Sequence, residues 1–369
     1  MHVVVTGGDG FIARNLRVRL RELGQQRVTS ITRASTEADL FEALAAADIV
    51  FHLAGVNRPR EEAEFVSGNV DFTTRICALL TDAGRRTPVV YASSTQAALD
   101  NPYGRSKLAA EQVLQRYALD TGAAVHVFRL TNVFGKWCRP HYNSVVATFC
   151  YQIARAEPIT INDPASVLRL IYLDDVVDAF VQRLDGNGSP SGYVDAGPVY
   201  ETTLGELAST LHEFAKRGSL MVGRVGDGLR RALYATYISY LPPAAFAYEV
   251  PRYGDARGVF VEMLKTPDCG QFSYFTAKPG ITRGEHYHHT KVEQFLVIHG
   301  TARFRFRNID TGAKHELLVR GGDGHIVVSV PGWAHDVTNI GSDELVIMLW
   351  ASEIFDRARP DTVRAEVFP

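Results

Sequence analysis

Residues 2–13 read His2-Val3-Val4-Val5-Thr6-Gly7-Gly8-Asp9-Gly10-Phe11-Ile12-Ala13. A β-branched run ends in a glycine-rich turn and passes directly into an amphipathic helical pattern from Phe11 to Leu23. A tight turn at this junction lets backbone amides approach a pyrophosphate at the helix N-terminus. Gly7 and Gly10 supply the turn and the close approach, and Ala13 stands where a third small residue lets helix pack on strand. The stretch therefore predicts the first βα unit of a dinucleotide-binding sheet.

Working outward, the same alternation continues through RVTSIT, a helix around Leu40 to Ala46, DIVFHLAG, a helix at Phe72 to Asp82, PVVYASS, a helix from Tyr103 to Tyr117, and AVHVFRL. Strands alternating with helices predict a Rossmann-type, doubly wound parallel sheet of six or more strands. The second strand ends Ile31-Thr32-Arg33. An acidic side chain there would accept bonds from a ribose 2′-hydroxyl, whereas an arginine accommodates a 2′-phosphate, so Arg33 favours NADPH.

Between Gly135 and about Leu241 the alternation loosens, as expected for a small substrate lobe. The aromatic, proline-rich stretch YISYLPPAAFAYEVPRYGDARG reads as a packed linker, with the domain boundary near Pro243. From Gly258 onward short alternating runs are separated by glycine-rich or polar turns, which predicts an all-β barrel or sandwich. The expected architecture is α/β plus all-β, with domains at 1–243 and 244–369.

Bulk properties narrow the function classes. The 369 residues suit two units with their own cores, and 46% apolar with 22% charged residues are ordinary globular proportions. A net charge of -2 gives no general attraction to nucleic acid or anionic membrane, so the expected partner is a small molecule. Cys77, Cys138, Cys150 and Cys269 show no CxxC spacing, which fits a reducing compartment. The start MHVVVTGG has no basic leader and apolar core, and no apolar run nears the roughly 18 residues of a membrane span. A cytoplasmic, unprocessed enzyme is expected.

Two constellations carry chemistry. Tyr103 and Lys107 in Asn101-Pro102-Tyr103-Gly104-Arg105-Ser106-Lys107 lie four apart on one helical face, after a strand ending Ser93-Ser94-Thr95. A neighbouring ammonium and a positive nicotinamide would lower the phenol pKa, making Tyr103 a proton donor to a carbonyl that receives hydride. In the C-terminal half, His286 and His288 alternate on one strand face, Glu293 follows, and His335 comes later, with Asn339 beyond it. Three imidazoles and a carboxylate suit zinc, iron, manganese or nickel. His289, His299, His315 and His325 read as exposed or structural.

TGGDGFIARN, HLAG, SST and YGRSK together resemble the extended short-chain dehydrogenase/reductase family. That resemblance implies Tyr103 as acid/base, Lys107 on the nicotinamide ribose, Ser94 (with Thr95 as the alternative) polarising the carbonyl, and cofactor contacts at Gly7, Gly10, Phe11, Ile12, Arg33, Leu53, Ala54, Gly55 and Lys107. It also implies substrate contacts at Asn132, at Asn143 opening the next helix, and at Arg169. Leu168 stands where the family usually has an arginine, which leaves Lys136 or Arg139 as substitutes for the pyrophosphate grip.

The histidine spacing matches both motifs of the cupin family, a β-barrel or jelly roll, except that Val330 replaces a proline and Pro331 follows. Asp255-Ala256-Arg257-Gly258-Val259-Phe260-Val261-Glu262 resembles the opening of cupin sugar epimerases. The domain order, with NPYGRSK, FGKWCRPHYNSVVATFCYQIAR and HYHHTKVE, is similar to two-domain enzymes of capsule and O-antigen synthesis. This implies that the cupin epimerises carbon 3 of a UDP-2-acetamido-2,6-dideoxy-4-hexulose and that the reductase reduces the 4-keto group with NADPH. The product would be a UDP-2-acetamido-2,6-dideoxy-L-talose on the route to UDP-N-acetyl-L-fucosamine, made by a homodimer.

The alternatives are an NAD-retaining 4-epimerase or dehydratase with a non-catalytic cupin that senses or dimerises, and an NADPH-binding redox sensor. Glu285, Tyr287, His289 and Lys291 remain open as the epimerisation base.

Overall fold

The computed structural model describes residues 1–25, 27–184, 191–216, 223–250, 252–255, 258–261, 270–353 and 358–368. It divides into two compact units, one of Met1–Val133 with Arg169–Glu201, the other of Phe134–Leu168 with Thr202–Pro369.

In the first unit, β1 (His2–Thr6) leads into α1 (Phe11–Glu22), and β2 (Arg27–Ile31) into α2 (Glu37–Ala45). β3 (Ile49–His52) is followed by α3 (Ala63–Phe65), a π-helical turn at Val66–Asp71, and α4 (Phe72–Asp82). β4 (Val89–Ser94) passes through a 3₁₀ turn at Thr95–Ala98 into α5 (Pro102–Thr121), and β5 (Val125–Leu130) follows. β6 (Asn132–Phe134), β7 (Val167–Tyr172), β8 (Gly192–Tyr193) and β9 (Val199–Thr203) follow in sequence, with α7 (Leu173–Val181) in this unit and α6 (Val145–Ile153) in the other.

The main sheet is parallel, in the order β2-β1-β3-β4-β5-β8. Its strands are continuous β-branched and aromatic runs because both faces are covered. Val4, Val50, Tyr91 and Val127 face one helical layer, and Val3, Val5, Phe51 and Phe128 face the other. The chain runs from β1 to β2 on one side and returns to β3 on the other, so a crevice opens beyond the carboxyl ends of β1 and β3. The expected six-strand, doubly wound sheet is present; its last strand is only two residues long.

The second unit holds α6, α8 (Leu204–Ala215) and α9 (Gly228–Ser239), then two antiparallel sheets. These are built from β10 (Ala247–Glu249), β11 (Arg252–Asp255), β12 (Gly258–Val261), β13 (Gln271–Ala277), β14 (Thr282–Tyr287), β15 (Glu293–His299), β16 (Thr301–Asn308), β17 (Lys314–Arg320), β18 (His325–Val328), β19 (Trp333–Asn339), β20 (Leu345–Ala351) and β21 (Val363–Arg364). One sheet runs β10-β18-β15-β20-β13 and the other β17-β16-β19-β14-β21, while β11 and β12 form a hairpin.

Strict alternation drives the layering: along β16, Ala302, Phe304 and Phe306 are buried while Arg303, Arg305 and Arg307 point away. Phe304 meets Phe295 of the facing sheet at 5.6 Å between ring centroids.

The proline-rich stretch is packed, with Tyr240, Leu241, Phe246 and Val250 buried, but it is more than a linker. Ala247–Glu249 pairs with β18 and belongs to the β-domain. Of the Asp255–Glu262 motif, Ala256, Arg257 and Glu262 lie outside the described residues, as does Cys269. Among the described residues, no helix is long and apolar enough to cross a membrane.

Candidate functional site

In the first unit, the glycine turn and the ends of β1 and β3 converge. Gly7 has φ +67°, and a Cβ there would stand 2.8 Å from the Ala54 Cα, so the turn lies flat against the end of β3. Thr6 Oγ1 accepts the Leu53 and Ala54 N–H groups at 3.2 Å each. Gly10 is the N-cap of α1 without a side-chain capping bond, which leaves the first-turn amides free for an anion. Phe11 and Ile12 open that helix, their side chains packed against the core. Gly8 N–H donates to the Ile31 carbonyl at 3.0 Å, bringing the turn to the end of β2, where Arg33 is exposed. These features fit a dinucleotide: unpaired helix amides for the pyrophosphate, and a cation beside the second strand.

Lys107 comes to the same place from α5. It is 5% exposed, and its ammonium donates to the Ala92 carbonyl at 2.9 Å and the Tyr91 hydroxyl at 3.2 Å. A Cβ on Gly55 would lie 3.2 Å from Lys107 Nζ, so the HLAG turn borders the lysine. Burial pulls the Lys107 pKa down to about 8, against the opposing pull of Glu111. One turn earlier, Tyr103 is partly buried, and the nearby Ser94 side chain works against the rise that burial imposes on its pKa.

The structure thus separates the three hydroxyls at the end of β4. Ser93 is buried and donates to Glu111, Thr95 is exposed, and Ser94, which accepts the Gln96 N–H at 3.2 Å, is the hydroxyl that lies near Tyr103. Burial pushes Tyr103 up, Ser94 opposes it, and the ammonium is turned to Tyr91 and Ala92.

Sequence reasoning missed the scaffold behind this helix. Glu111 is fully buried, held bidentately by Arg129 at 3.0 and 2.6 Å and by the Tyr193 hydroxyl at 2.9 Å. Asn69, on the π-helical turn, clips the Val56 backbone through both its amide atoms and donates to Ser106 at 2.9 Å. Neither residue belongs to a local motif.

The expected substrate residues are less convergent. Asn132 is exposed and donates to the Arg169 carbonyl at 3.0 Å, while the Arg169 guanidinium pairs with Glu201 at 3.2 Å. Asn143 is exposed, and the helix after it is capped by Ser144, not opened by Asn143. Lys136 is buried, and Arg139 is exposed against the Tyr142 ring.

In the second unit, His286 of β14 lies opposite His335 of β19, His288 follows on the same face, and Glu293 enters from the first position of β15 on the facing sheet. One ligand atom from each lies within 4.8 Å of all the others. Glu293 Oε2 is 3.2 Å from His288 Nε2 and 3.4 Å from His335 Nε2. The His288 Nε2 and both His335 ring nitrogens are buried with no hydrogen-bond partner, the condition of donors arranged for a cation.

Burial, with His335 and His288 beside it, pulls the His286 pKa down to about 3, so the ring is neutral and able to ligate at neutral pH. Burial pushes Glu293 up, but the adjacent imidazoles hold its carboxyl well below the usual range. The Pro331 displacement leaves a turn closed by Trp333 N–H to the Val330 carbonyl at 2.9 Å, and His335 stays in the cluster. None of the other four histidines joins it among the described residues.

Comparison with known proteins gives two family matches. Residues 3–194 match the NAD dependent epimerase/dehydratase family, and residues 253–363 match the polysaccharide biosynthesis C-terminal domain. The chain is 52% identical over its whole length to the UDP-2-acetamido-2,6-beta-L-arabino-hexul-4-ose reductase of Pseudomonas aeruginosa, covering 99% of that protein. The crystal structure of the capsular polysaccharide assembling protein CapF from Staphylococcus aureus matches over 100% of both chains, with 40% identity and a TM-score of 0.69. MoeE5 in complex with UDP-glucose and NAD matches 58% of this chain and 81% of its own, at 25% identity and a TM-score of 0.52.

Proposed function

The chain belongs to the NAD-dependent epimerase/dehydratase family and is a nucleotide-sugar reductase; from that premise we propose that it completes a two-step conversion of a UDP-2-acetamido-2,6-dideoxy-4-hexulose. The C-terminal cupin inverts carbon 3, and the N-terminal domain reduces the 4-keto group to UDP-2-acetamido-2,6-dideoxy-L-talose for capsule or O-antigen synthesis. The observation that carries the reduction is the buried Lys107 ammonium beside the Gly7–Gly55 crevice, with Tyr103 one helical turn away and Ser94 near its phenol.

NADPH, when bound, supplies the hydride to carbon 4. With the cofactor in place, Ser94 would orient the carbonyl oxygen, Tyr103 would give that oxygen its proton, and Lys107 would hold the ribose. Arg33 supports NADPH over NADH, and Gly10, Phe11 and Ile12 offer backbone amides to the pyrophosphate. Asn132, Asn143 and Arg169 are the proposed nucleotide-sugar contacts.

In the cupin, His286, His288, Glu293 and His335 are the proposed ligands of a divalent metal, zinc by donor type. A cation there would supply Lewis-acid charge beside a 4-keto group, whose neighbouring C–H bonds are already acidified.

The proposed boundary near Pro243 falls between the two family matches. A homodimer is supported by β13, a sheet edge unpaired among the described residues, which exposes Phe272 and Tyr274. A cytoplasmic setting is supported by the nucleotide-linked substrate and by Cys77, Cys138 and Cys150, all free thiols.

The test is proton NMR with the UDP-linked 4-keto sugar in deuterated water, with and without NADPH. Deuterium should enter carbon 3 without NADPH in wild type and in Tyr103→Phe, but not in His288→Ala. Reduction should fall by about 10²–10⁴-fold in Tyr103→Phe. Exchange that survives His288→Ala would make the cupin non-catalytic.

A further inference from the structure

The metal cluster accounts for four side chains, but not for the chain segment that passes behind two of them. Asp361, near the C-terminus, sends its carboxylate into the loop between β14 and β15. There it accepts the backbone N–H groups of His289 at 2.8 Å, Thr290 at 2.7 Å and Lys291 at 2.7 Å, and the Thr290 hydroxyl at 3.0 Å. Three consecutive amides converging on one carboxylate form an anion nest, here filled from within the chain. The Asp361 backbone carbonyl is hydrogen-bonded to His288 Nδ1. A carbonyl can only accept, so Nδ1 carries the proton and Nε2, the atom 3.2 Å from Glu293, keeps its lone pair for a metal.

The residues after Asp361 continue the contact. Thr362 Oγ1 accepts from Lys291 Nζ at 3.2 Å, and that ammonium is 3.6 Å from Glu293 Oε1. Val363 and Arg364 add a strand to β14 with Arg364 opposite His286, and Ala365 N–H reaches the Glu285 carbonyl at 2.8 Å. The segment is then anchored by the buried Val367 and by Arg307, which donates to the Val367 carbonyl at 3.0 Å. Two of the four cluster residues, His286 and His288, therefore have a neighbour in residues 361–364, and Glu293 is linked to the segment through Lys291.

We propose that the C-terminal segment is a structural strap of the metal centre, in which Asp361 is a positioning residue that sets the tautomer of His288 and the path of the loop leading to Glu293. This rests on the reading of His286, His288, Glu293 and His335 as metal ligands. Asp361 itself touches no substrate in this scheme; it acts through His288 and through the 289–291 backbone.

The test uses the full-length protein stripped of metal and titrated with cobalt(II), read by its visible d–d absorption and by competition with a chromophoric chelator. Asp361→Ala should bind cobalt on the order of 10–100-fold more weakly, with altered band intensities, the usual effect of losing a ligand's outer partner. Asp361→Asn, which keeps one side-chain acceptor, should fall between Asp361→Ala and wild type. A chain ending at Ala358, which also loses the carbonyl behind His288, should bind at least as weakly as Asp361→Ala. Near-ultraviolet circular dichroism, dominated by the buried Trp333 and Trp350 of the β-domain, reports that each variant is folded.

Cobalt affinity and spectrum unchanged within twofold in Asp361→Ala and in the shortened chain would overturn the strap while leaving the metal centre standing. A wild-type protein that takes up no cobalt would overturn both the metal reading and the strap.

Discussion

Lys107 is asked to stay charged in a place that disfavours charge. Burial lowers its pKa to about 8 from an ordinary 10.5, and Glu111, one turn along the helix, resists that fall. The linkage has a definite sign: between about pH 8 and 10.5 the unfolded chain binds this proton and the folded chain does not, so stability rises with pH across that window and is flat below it. Lys107→Met should remove the rise. Urea unfolding at pH 7 to 10 checks this, and a variant whose stability climbs with pH as steeply as wild type would show that another group is responsible.

Residue types marked Tyr103, Lys107 and the His286–His335 set as candidates because their spacing repeats along local structure. Ser94 was separable from Ser93 and Thr95 only by seeing which hydroxyl lies near Tyr103 and which is captured by Glu111. Glu111, Asn69 and Asp361 act over 13 or more positions in sequence, and no local pattern marks such partners.

At the scale of elements, the position of α5 sets where the proposed reductase residues Tyr103 and Lys107 lie. Its N-terminus is fixed by Asn101, whose side chain caps the Gly104 N–H at 2.8 Å, and by Pro102 in the first turn. Gly104 lies directly on the preceding 3₁₀ turn, where a methyl group would overlap the backbone carbonyl oxygens of Gln96 and Leu99. Because backbone cannot yield as a flexible side chain can, Gly104→Ala should push the first turn of α5 outward and part Tyr103 from Ser94. Misplacement of about 1 Å costs roughly 10²-fold in rate. The expected outcome is a fall of that order in kcat with NADPH affinity kept, measured by steady-state reduction and by cofactor fluorescence; unchanged kcat would mean the helix has room to move.

Helix and strand existence followed the periodic patterns, but two elements did not announce themselves. The start of α2 at Glu37 is set by a capping box between Thr36 and Asp39, not by apolar spacing, and β19 carries His335 and Asp336 in a run poor in β-branched residues. β19 is a strand because β16 and β14 pair with it on both sides.

At the scale of the whole molecule, the change in sequence grammar near Pro243 and the division of the fold do not coincide. Residues 134–168 and 202–241 look, by pattern, like a lobe of the N-terminal domain, yet they pack into the same compact unit as the β-domain. Within that unit the Trp137 indole packs against Gly332, and Gly332 N–H holds the His288 carbonyl at 2.9 Å. Arg231 of α9 donates to Thr290 at 3.0 Å and pairs with Glu353 at 3.7 Å. Composition reports where one folding grammar stops, whereas side-chain packing can cross that line freely.

Cutting the chain after Pro243 would therefore remove the Gly332, Thr290 and Glu353 partners of Trp137 and Arg231 while sparing the parallel sheet. Protection against amide exchange depends on such packing, because local opening needs less free energy where it is lost. In the 1–243 fragment, amides around Trp137 and along α9 should exchange on the order of tenfold faster than in the full chain, with those of β1, β3 and β4 unchanged. Hydrogen exchange read by mass spectrometry on the two proteins side by side decides it. Equal protection around Trp137 would make Pro243 a true seam between independent domains, and faster exchange there alone would mean that the segment around Trp137 is held in place by the β-domain.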